Sequence, residues 1–134
     1  VEAKEWVVRD RHISTILDMG ASVDVAVFTA GAIEKESLAL NLGYLTEEES
    51  EELLTNAVGD VCSRFYTAEG AIASPAVDAR TVGIGLDDLT QRPTRVLVAG
   101  GHTKTRAINV ALEMGLATHL VTDQSTAHRL LEHN

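Results

Sequence analysis

Apolar residues in this chain fall into two spacings. Between Val1 and Met19, Trp6, Val7, Ile13, Ile16 and Leu17 recur among charged residues at helical intervals, and Gly20 closes the run. This predicts one amphipathic helix with Trp6 packed in its apolar stripe. From Val23 to Phe28 the run VDVAVF is compact and nearly continuous. It fits a buried parallel strand that enters a turn at Thr29-Ala30-Gly31. Residues 32–46 show no clear period and read as loop and short helix, with a turn at Gly43. The set Thr46-Glu47-Glu48-Glu49 forms a capping box that opens a helix, and the acids through Glu52 read as its solvated first turn rather than a metal site.

The second half alternates more regularly. Asn56–Tyr66 (NAVGDVCSRFY) places a glycine and an acid ahead of a mixed apolar run. Glu69-Gly70 and Ser74-Pro75 are turn signals. Thr81–Leu86 (TVGIGL) reads as a short strand, Leu89–Pro93 as a connection, and Arg95–Ala99 as a strand. A helix over Lys104–Met114 ends near Gly115, and a strand follows at Thr118–Val121. Thr122-Asp123-Gln124-Ser125 then offers N-caps to a final helix reaching about His133. Continuous apolar strands alternating with helices predict an α/β fold whose parallel sheet is covered by helices.

Composition narrows what such a fold can do. The chain has 134 residues, enough for one domain with one sizeable core. Its net charge of −9 opposes direct binding to DNA, RNA or an anionic membrane. No stretch approaches the run of about 18 apolar residues that a membrane span needs. Cys62 is the only cysteine, so no internal disulfide or cysteine-rich zinc site can form, and a cytoplasmic protein is expected. There is neither a signal peptide nor an initiator methionine, and the chain reads as a piece of something longer.

Strand ends locate the chemistry. In open α/β sheets ligands sit beyond the carboxyl ends of the strands, here Thr29–Gly31, Gly100–Lys104 and Thr122–Asp123. The most informative is Arg95–Leu131, where a strand delivers Gly100, Gly101 and then Lys104 to a helix N-terminus. Backbone N–H groups, helix dipole and ammonium would converge on a small anion. GGHTK matches neither GxxxxGK[ST] nor GxGxxG, so a nucleotide cofactor is not supported. Asp60, flanked by Val58, Gly59 and Val61, is either an exposed strand residue or a buried acid with a partner. Cys62 reads as a buried inert thiol. His12, His102, His119, His128 and His133 lack metal-ligand spacing, and only His102, inside the glycine turn, is placed to meet a ligand. No catalytic acid–base pair or nucleophile elbow is visible, and no metal or cofactor is expected.

These residues resemble a known family. NAVGDVCSR, extended by Phe65, is similar to the "GAVGDICGRF" segment in the sugar-binding domain of SorC/DeoR-type bacterial transcriptional regulators. In the same order, Glu69-Gly70 resembles a "D-G" turn and Asp78–Ile84 resembles "N-x-R-x-I-G-I". Val98–Lys104 resembles "VAGG-x-x-K", followed by Ala107-Ile108. Leu120–Asp123 with Thr126-Ala127 resembles "L-I-T-D-x-x-T-A", and Asp24–Val27 leading to Gly31 resembles "D-V-A-L-V-G-I-G". The resemblance implies a parallel-sheet α/β sandwich related to ribose-5-phosphate isomerase, glucosamine-6-phosphate deaminase and CoA transferases, of which this chain holds the second half.

It further implies a phosphorylated sugar or similar metabolite as effector, with Lys104 and Asp60 touching it and Cys62 lining the pocket. Gly31, Gly59, Gly100 and Gly101 would allow close backbone approach. Asn56 departs from the family's glycine, and Thr29-Ala30 from its "G-I". The family's N-terminal helix-turn-helix and first effector half-domain, with its phosphate loop, have no counterpart here. The expected role is therefore effector sensing by a homo-oligomeric cytoplasmic regulator that touches DNA through another domain. The alternatives are a sugar-phosphate isomerase or deaminase, or an oligomerisation half-domain without ligand.

Overall fold

The computed structural model describes residues 2–132. Its first segment is two helices, α1 (Glu2–Arg9) and α2 (Arg11–Gly20). Helical periodicity runs through the junction, but Asp10 adopts an extended conformation and its carboxylate accepts from the N–H groups of His12 and Ile13, so a new helix starts there. Trp6 is not packed in a core as its spacing predicted. It is 67% exposed, with the Arg9 guanidinium 5.5 Å from its ring centre. Neither helix carries a buried residue.

Strand β1 (Val25–Phe28) follows and pairs in parallel with β5 (Thr94–Val98), which pairs in parallel with β6 (His119–Val121). One face of this sheet carries Phe28, Leu97 and Leu120 into the main core. The other presents Val25, Val27, Val98 and Val121, exposed by 44–67%. The expected cover over the parallel sheet is thus present on one face only among the described residues.

A second, antiparallel sheet was not foreseen. Its strands are β2 (Ala30–Ala32), β3 (Gly59–Val61) and β4 (Arg64–Tyr66) in that order. Ala30 and Gly31, read as a turn, continue as strand because β3 supplies their ladder partners. Helix α3 (Leu38–Asn41) and helix α4 (Glu47–Asn56) lie between β2 and β3. Thr46 and Glu49 form the reciprocal capping box at the start of α4. Pro75 occupies the first turn of α5 (Pro75–Arg80), and α6 (Leu86–Thr90) precedes β5.

Residues 81–85 do not form the expected strand, and residues 86–90, read partly as strand and connection, are helical. The reason is Arg64. Its buried guanidinium donates to the carbonyls of Asp78, Thr81, Gly83 and Ile84 and to the Asp78 carboxylate, so this segment's acceptors face a side chain rather than a neighbouring strand.

After β5, a 3-10 turn (His102–Lys104) leads into α7 (Thr105–Glu113); α8 (Gln124–Glu132) ends the described chain, and His133 lies beyond it. Helix α7 packs against β2 and β3, and its Ala107, Ile108 and Ala111 are completely buried. The Tyr66 hydroxyl donates to the Ala107 carbonyl at 2.8 Å, so its polar end is satisfied inside this core. A second cluster of Leu40, Leu53, Phe65, Ala73 and Val77 joins α3, α4, β4 and α5.

Candidate functional site

Asp60 occupies the centre of β3, opposite Gly31 on β2 and Phe65 on β4. A Cβ on residue 31 would stand 2.1 Å from Asp60 Oδ1, so only glycine lets the carboxylate lie across the neighbouring strand. The hairpin after β3 turns through Cys62 and Ser63, both left-handed with φ of 53° and 61°. Two such residues suit the twist of a two-residue hairpin, although neither is the glycine or asparagine usual there. The Ser63 N–H donates to Asp60 Oδ2 at 3.3 Å. Burial pushes the Asp60 pKa up, while the Ser63 N–H and the positive charge of Lys104 oppose the rise.

Asp60 and Lys104 share a cleft of about 460 Å³. Gly31, Ala32, Ser63 and Thr103 line it as well, and Leu38, Leu42 and Tyr44 form its apolar side. These three are 73%, 59% and 46% exposed, so their hydrocarbon surface is free to meet a ligand. Position here depends on a chain of contacts. Arg80 Nη2 donates to the Tyr44 carbonyl at 3.3 Å and to Glu49 Oε2 at 2.7 Å, and Glu49 also caps α4. The Arg80 bond and the Thr46 N–H hold the Glu49 carboxyl down at about 2. Burial, followed by the nearby Asp60 carboxylate, raises the Tyr44 hydroxyl, with Arg80 opposing. A half-buried carboxylate and an ammonium facing an apolar side suit a molecule with hydroxyls, an anionic group and a C–H face.

The other nominated residues lie elsewhere. Cys62 is exposed on the hairpin, contrary to a buried thiol, and Ser63 rather than Cys62 lines the cleft. His102 faces a different cleft of about 320 Å³. Gly59 is buried, and a Cβ there would meet Ala107 Cβ at 2.5 Å and the Tyr66 hydroxyl at 2.7 Å; its close approach is to protein. Gly100 likewise yields to the Asp123 carboxylate, which a Cβ would meet at 2.3 Å.

Gly101 has φ of 109° and donates its N–H to Thr126 Oγ1 at 2.8 Å and to Asp123 Oδ2 at 3.1 Å. The Thr126 hydroxyl and N–H also donate to Asp123, whose pKa they lower. The glycine turn is therefore clamped by the start of α8, and it leads directly into the 3-10 turn that carries Lys104. Leu38, Leu42, Tyr44 and Ser63 escaped sequence reasoning. Leu38 and Leu42 do keep an i, i+4 spacing, but the four-residue helix beneath them is too short to register as a period.

Residues 1–132 match the family described as "Putative sugar-binding domain". The deoxyribonucleoside regulator of Bacillus subtilis is 44% identical over 97% of this chain and 42% of its own length. The transcriptional regulator LsrR of Klebsiella pneumoniae is 33% identical over 97% of the chain and 42% of its own length. Among solved structures, a transcriptional regulator from Streptococcus pneumoniae superposes with a TM-score of 0.87 at 30% identity, over 98% of this chain and 50% of that one. The full-length sorbitol operon regulator SorC from Klebsiella pneumoniae gives 0.84 at 28% identity, over 96% and 42%. The chain spans half or less of the length of these relatives.

Proposed function

Because the chain belongs to the sugar-binding domain family of SorC/DeoR-type transcriptional regulators, we propose that it is the effector-sensing part of such a regulator, with a phosphorylated sugar or related metabolite as its ligand. The observation that carries this reading is the shared cleft of Asp60 and Lys104. Lys104 holds the phosphate or other anion, Asp60 accepts from sugar hydroxyls, and Leu38, Leu42 and Tyr44 cover the C–H face. Gly31 supports the same arrangement by letting Asp60 lie over β2. Binding shifts the balance of conformations or of contacts between copies, and so alters the DNA affinity of a separate domain. The relatives' names support regulation over isomerase or deaminase chemistry; no helix is long and apolar enough to cross a membrane.

Titration of the chain with a panel of sugar phosphates by calorimetry, repeated on Lys104→Ala and Asp60→Asn, tests the assignment. Each variant is expected to weaken a bound sugar phosphate by at least about tenfold, as loss of one charge-assisted contact does. Equal affinity in both variants would remove these residues from the site. Steady turnover of a sugar phosphate by the chain would favour the enzymatic alternative.

A further inference from the structure

The apolar side of the Asp60–Lys104 cleft is built on a segment that does little to hold itself. Helix α3 has four residues, fewer than a helix needs to persist alone, and Ser37 at its N-cap makes no side-chain cap. Leu40 roots it in the second cluster, and Leu45 packs against the same residues. Between these anchors Leu42 and Tyr44 line the cleft, on either side of Gly43 with its φ of 80°. Among the described residues, one side-chain hydrogen bond reaches residues 42–45. It comes from Arg80, to the Tyr44 carbonyl at 3.3 Å.

Arg80 does not itself line the cleft. It is half-buried at the end of α5, and Glu49 takes its guanidinium with both carboxylate oxygens. The same carboxylate accepts from the Thr46 N–H, so the start of α4 aims the fork. At its other end α5 is fixed to α4 again, where the buried Ser74 hydroxyl donates to Glu52 at 2.8 Å. Between these points Asp78 accepts from the Arg64 guanidinium with its carbonyl and its carboxylate. Arg64 directly follows Ser63 in the hairpin that carries Asp60. One six-residue helix thus holds both sides of the cleft, the hairpin through Asp78 and the apolar side through Arg80.

Resting on the effector reading above, we propose that α5 is a brace that sets the gap between the two sides, and that Arg80 is the positioning residue that holds Leu42 and Tyr44 against the C–H face of the ligand. A planar guanidinium suits the task, because its rigid fork engages one carboxylate with two donors while a further N–H turns to the carbonyl. Without that fork the segment from Leu42 to Tyr44 keeps its packing at Leu40 and Leu45 but loses its fixed place over the cleft. A bound sugar must then order the segment itself, and that ordering is subtracted from affinity.

Calorimetry well below the melting temperature tests this, with ribose 5-phosphate and glucose 6-phosphate as probes. The chain is compared with its Arg80→Met, Arg80→Lys and Glu49→Gln variants. Methionine keeps an apolar stem without donors. Glutamine still closes the capping box with Thr46, so Glu49→Gln removes the ion pair and spares the cap. Arg80→Met is expected to weaken the tighter-binding probe by about tenfold, and Arg80→Lys to recover part of the loss. The same Arg80→Met change is then made in a Leu42→Ala background, where the apolar side is already cut back. There its further loss should shrink to about threefold or less, because the two changes act on one contact. A residue that only stabilises the fold would lower the melting temperature and leave the affinity of the folded chain unchanged.

Unchanged affinity in Arg80→Met overturns the brace and leaves Lys104 and Asp60 in place. Should Arg80→Met fail to fold, Glu49→Gln carries the same expectation, and unchanged affinity there has the same meaning. A tenfold loss that persists in full in the Leu42→Ala background also overturns it, since Arg80 would then act elsewhere than on the apolar side. Failure of both probes to bind the unaltered chain overturns this proposal together with the effector reading on which it rests.

Discussion

Asp60 illustrates how burial makes one ionised side chain costly to the fold that holds it. It is half-buried, receives one long hydrogen bond from the Ser63 N–H, and has its pKa raised from 3.8 chiefly by burial. An acid with a raised folded-state pKa binds its proton more tightly when folded than when unfolded. Its stabilising contribution is therefore complete below about 3.8, the unfolded value, and is lost as pH rises through the folded one. Asp60→Asn, which cannot ionise, should lack this loss. The melting temperature of the variant relative to the parent is expected to climb between about pH 4 and pH 7; a constant difference across that range would show that burial of the charge carries no cost. On the proposed reading, ligand hydroxyls donating to the carboxylate would offset the same penalty. The acid was visible in the sequence as a charge among apolar neighbours. The fact that Gly31 makes room for it was not, because that contact spans 29 residues of chain and exists only once β2 pairs with β3.

At the scale of elements, local signals succeeded where a local cause acts. The box at Thr46 and Glu49 forms α4 as read, and the apolar runs ending at Phe28 and Val98 form parallel strands. Where a distant side chain decides, they failed. TVGIGL has strand composition, yet Arg64, 17 to 20 residues earlier, takes the carbonyls of Thr81, Gly83 and Ile84. Nothing in residues 81–86 announces that. The three small residues of β2 are too few to show a period, and Trp6 belongs to an apolar stripe that meets no core among the described residues. Arg64 is thus the organiser of a segment that joins α5 to α6. Arg64→Ala would leave four carbonyls and the Asp78 carboxylate without their partner, at a cost of about 3 kcal/mol or more. Urea unfolding is expected to show this as a lower midpoint, and Arg64→Lys should recover only part of it, since one ammonium cannot serve five acceptors. A midpoint unchanged in Arg64→Ala would remove Arg64 from that role.

For the whole molecule, the open valine face of the parallel sheet is the dominant fact. Parallel sheets are ordinarily buried on both sides, and Val25, Val27, Val98 and Val121 form a stripe across all three strands that no described residue covers. Each valine withdrawn from water is worth about 1.5 kcal/mol, enough for the face to drive association. In dilute solution the chain is expected to self-associate with rising concentration by sedimentation. The double substitution Val27→Thr and Val121→Thr should reduce that association; identical behaviour of parent and variant would locate the contact elsewhere. A different consequence attaches to the Gly101–Asp123–Thr126 knot. The turn before Lys104 and the first turn of α8 share the hydrogen bonds of the Gly101 N–H, 2.8 Å to Thr126 Oγ1 and 3.1 Å to Asp123 Oδ2. An ångström of movement in the turn must either break those bonds or carry the start of α8 along with it. On the proposed reading of the cleft, α8 would behave as a lever pivoting at Asp123, turning a small displacement of the Gly101 turn into a larger swing at the far end of the helix. Such a swing would need no new contact at the tip, only a joint that stays stiff, and there the Gly101 N–H is held by Asp123 Oδ2 and Thr126 Oγ1 together while Asp123 Oδ1 anchors the helix start.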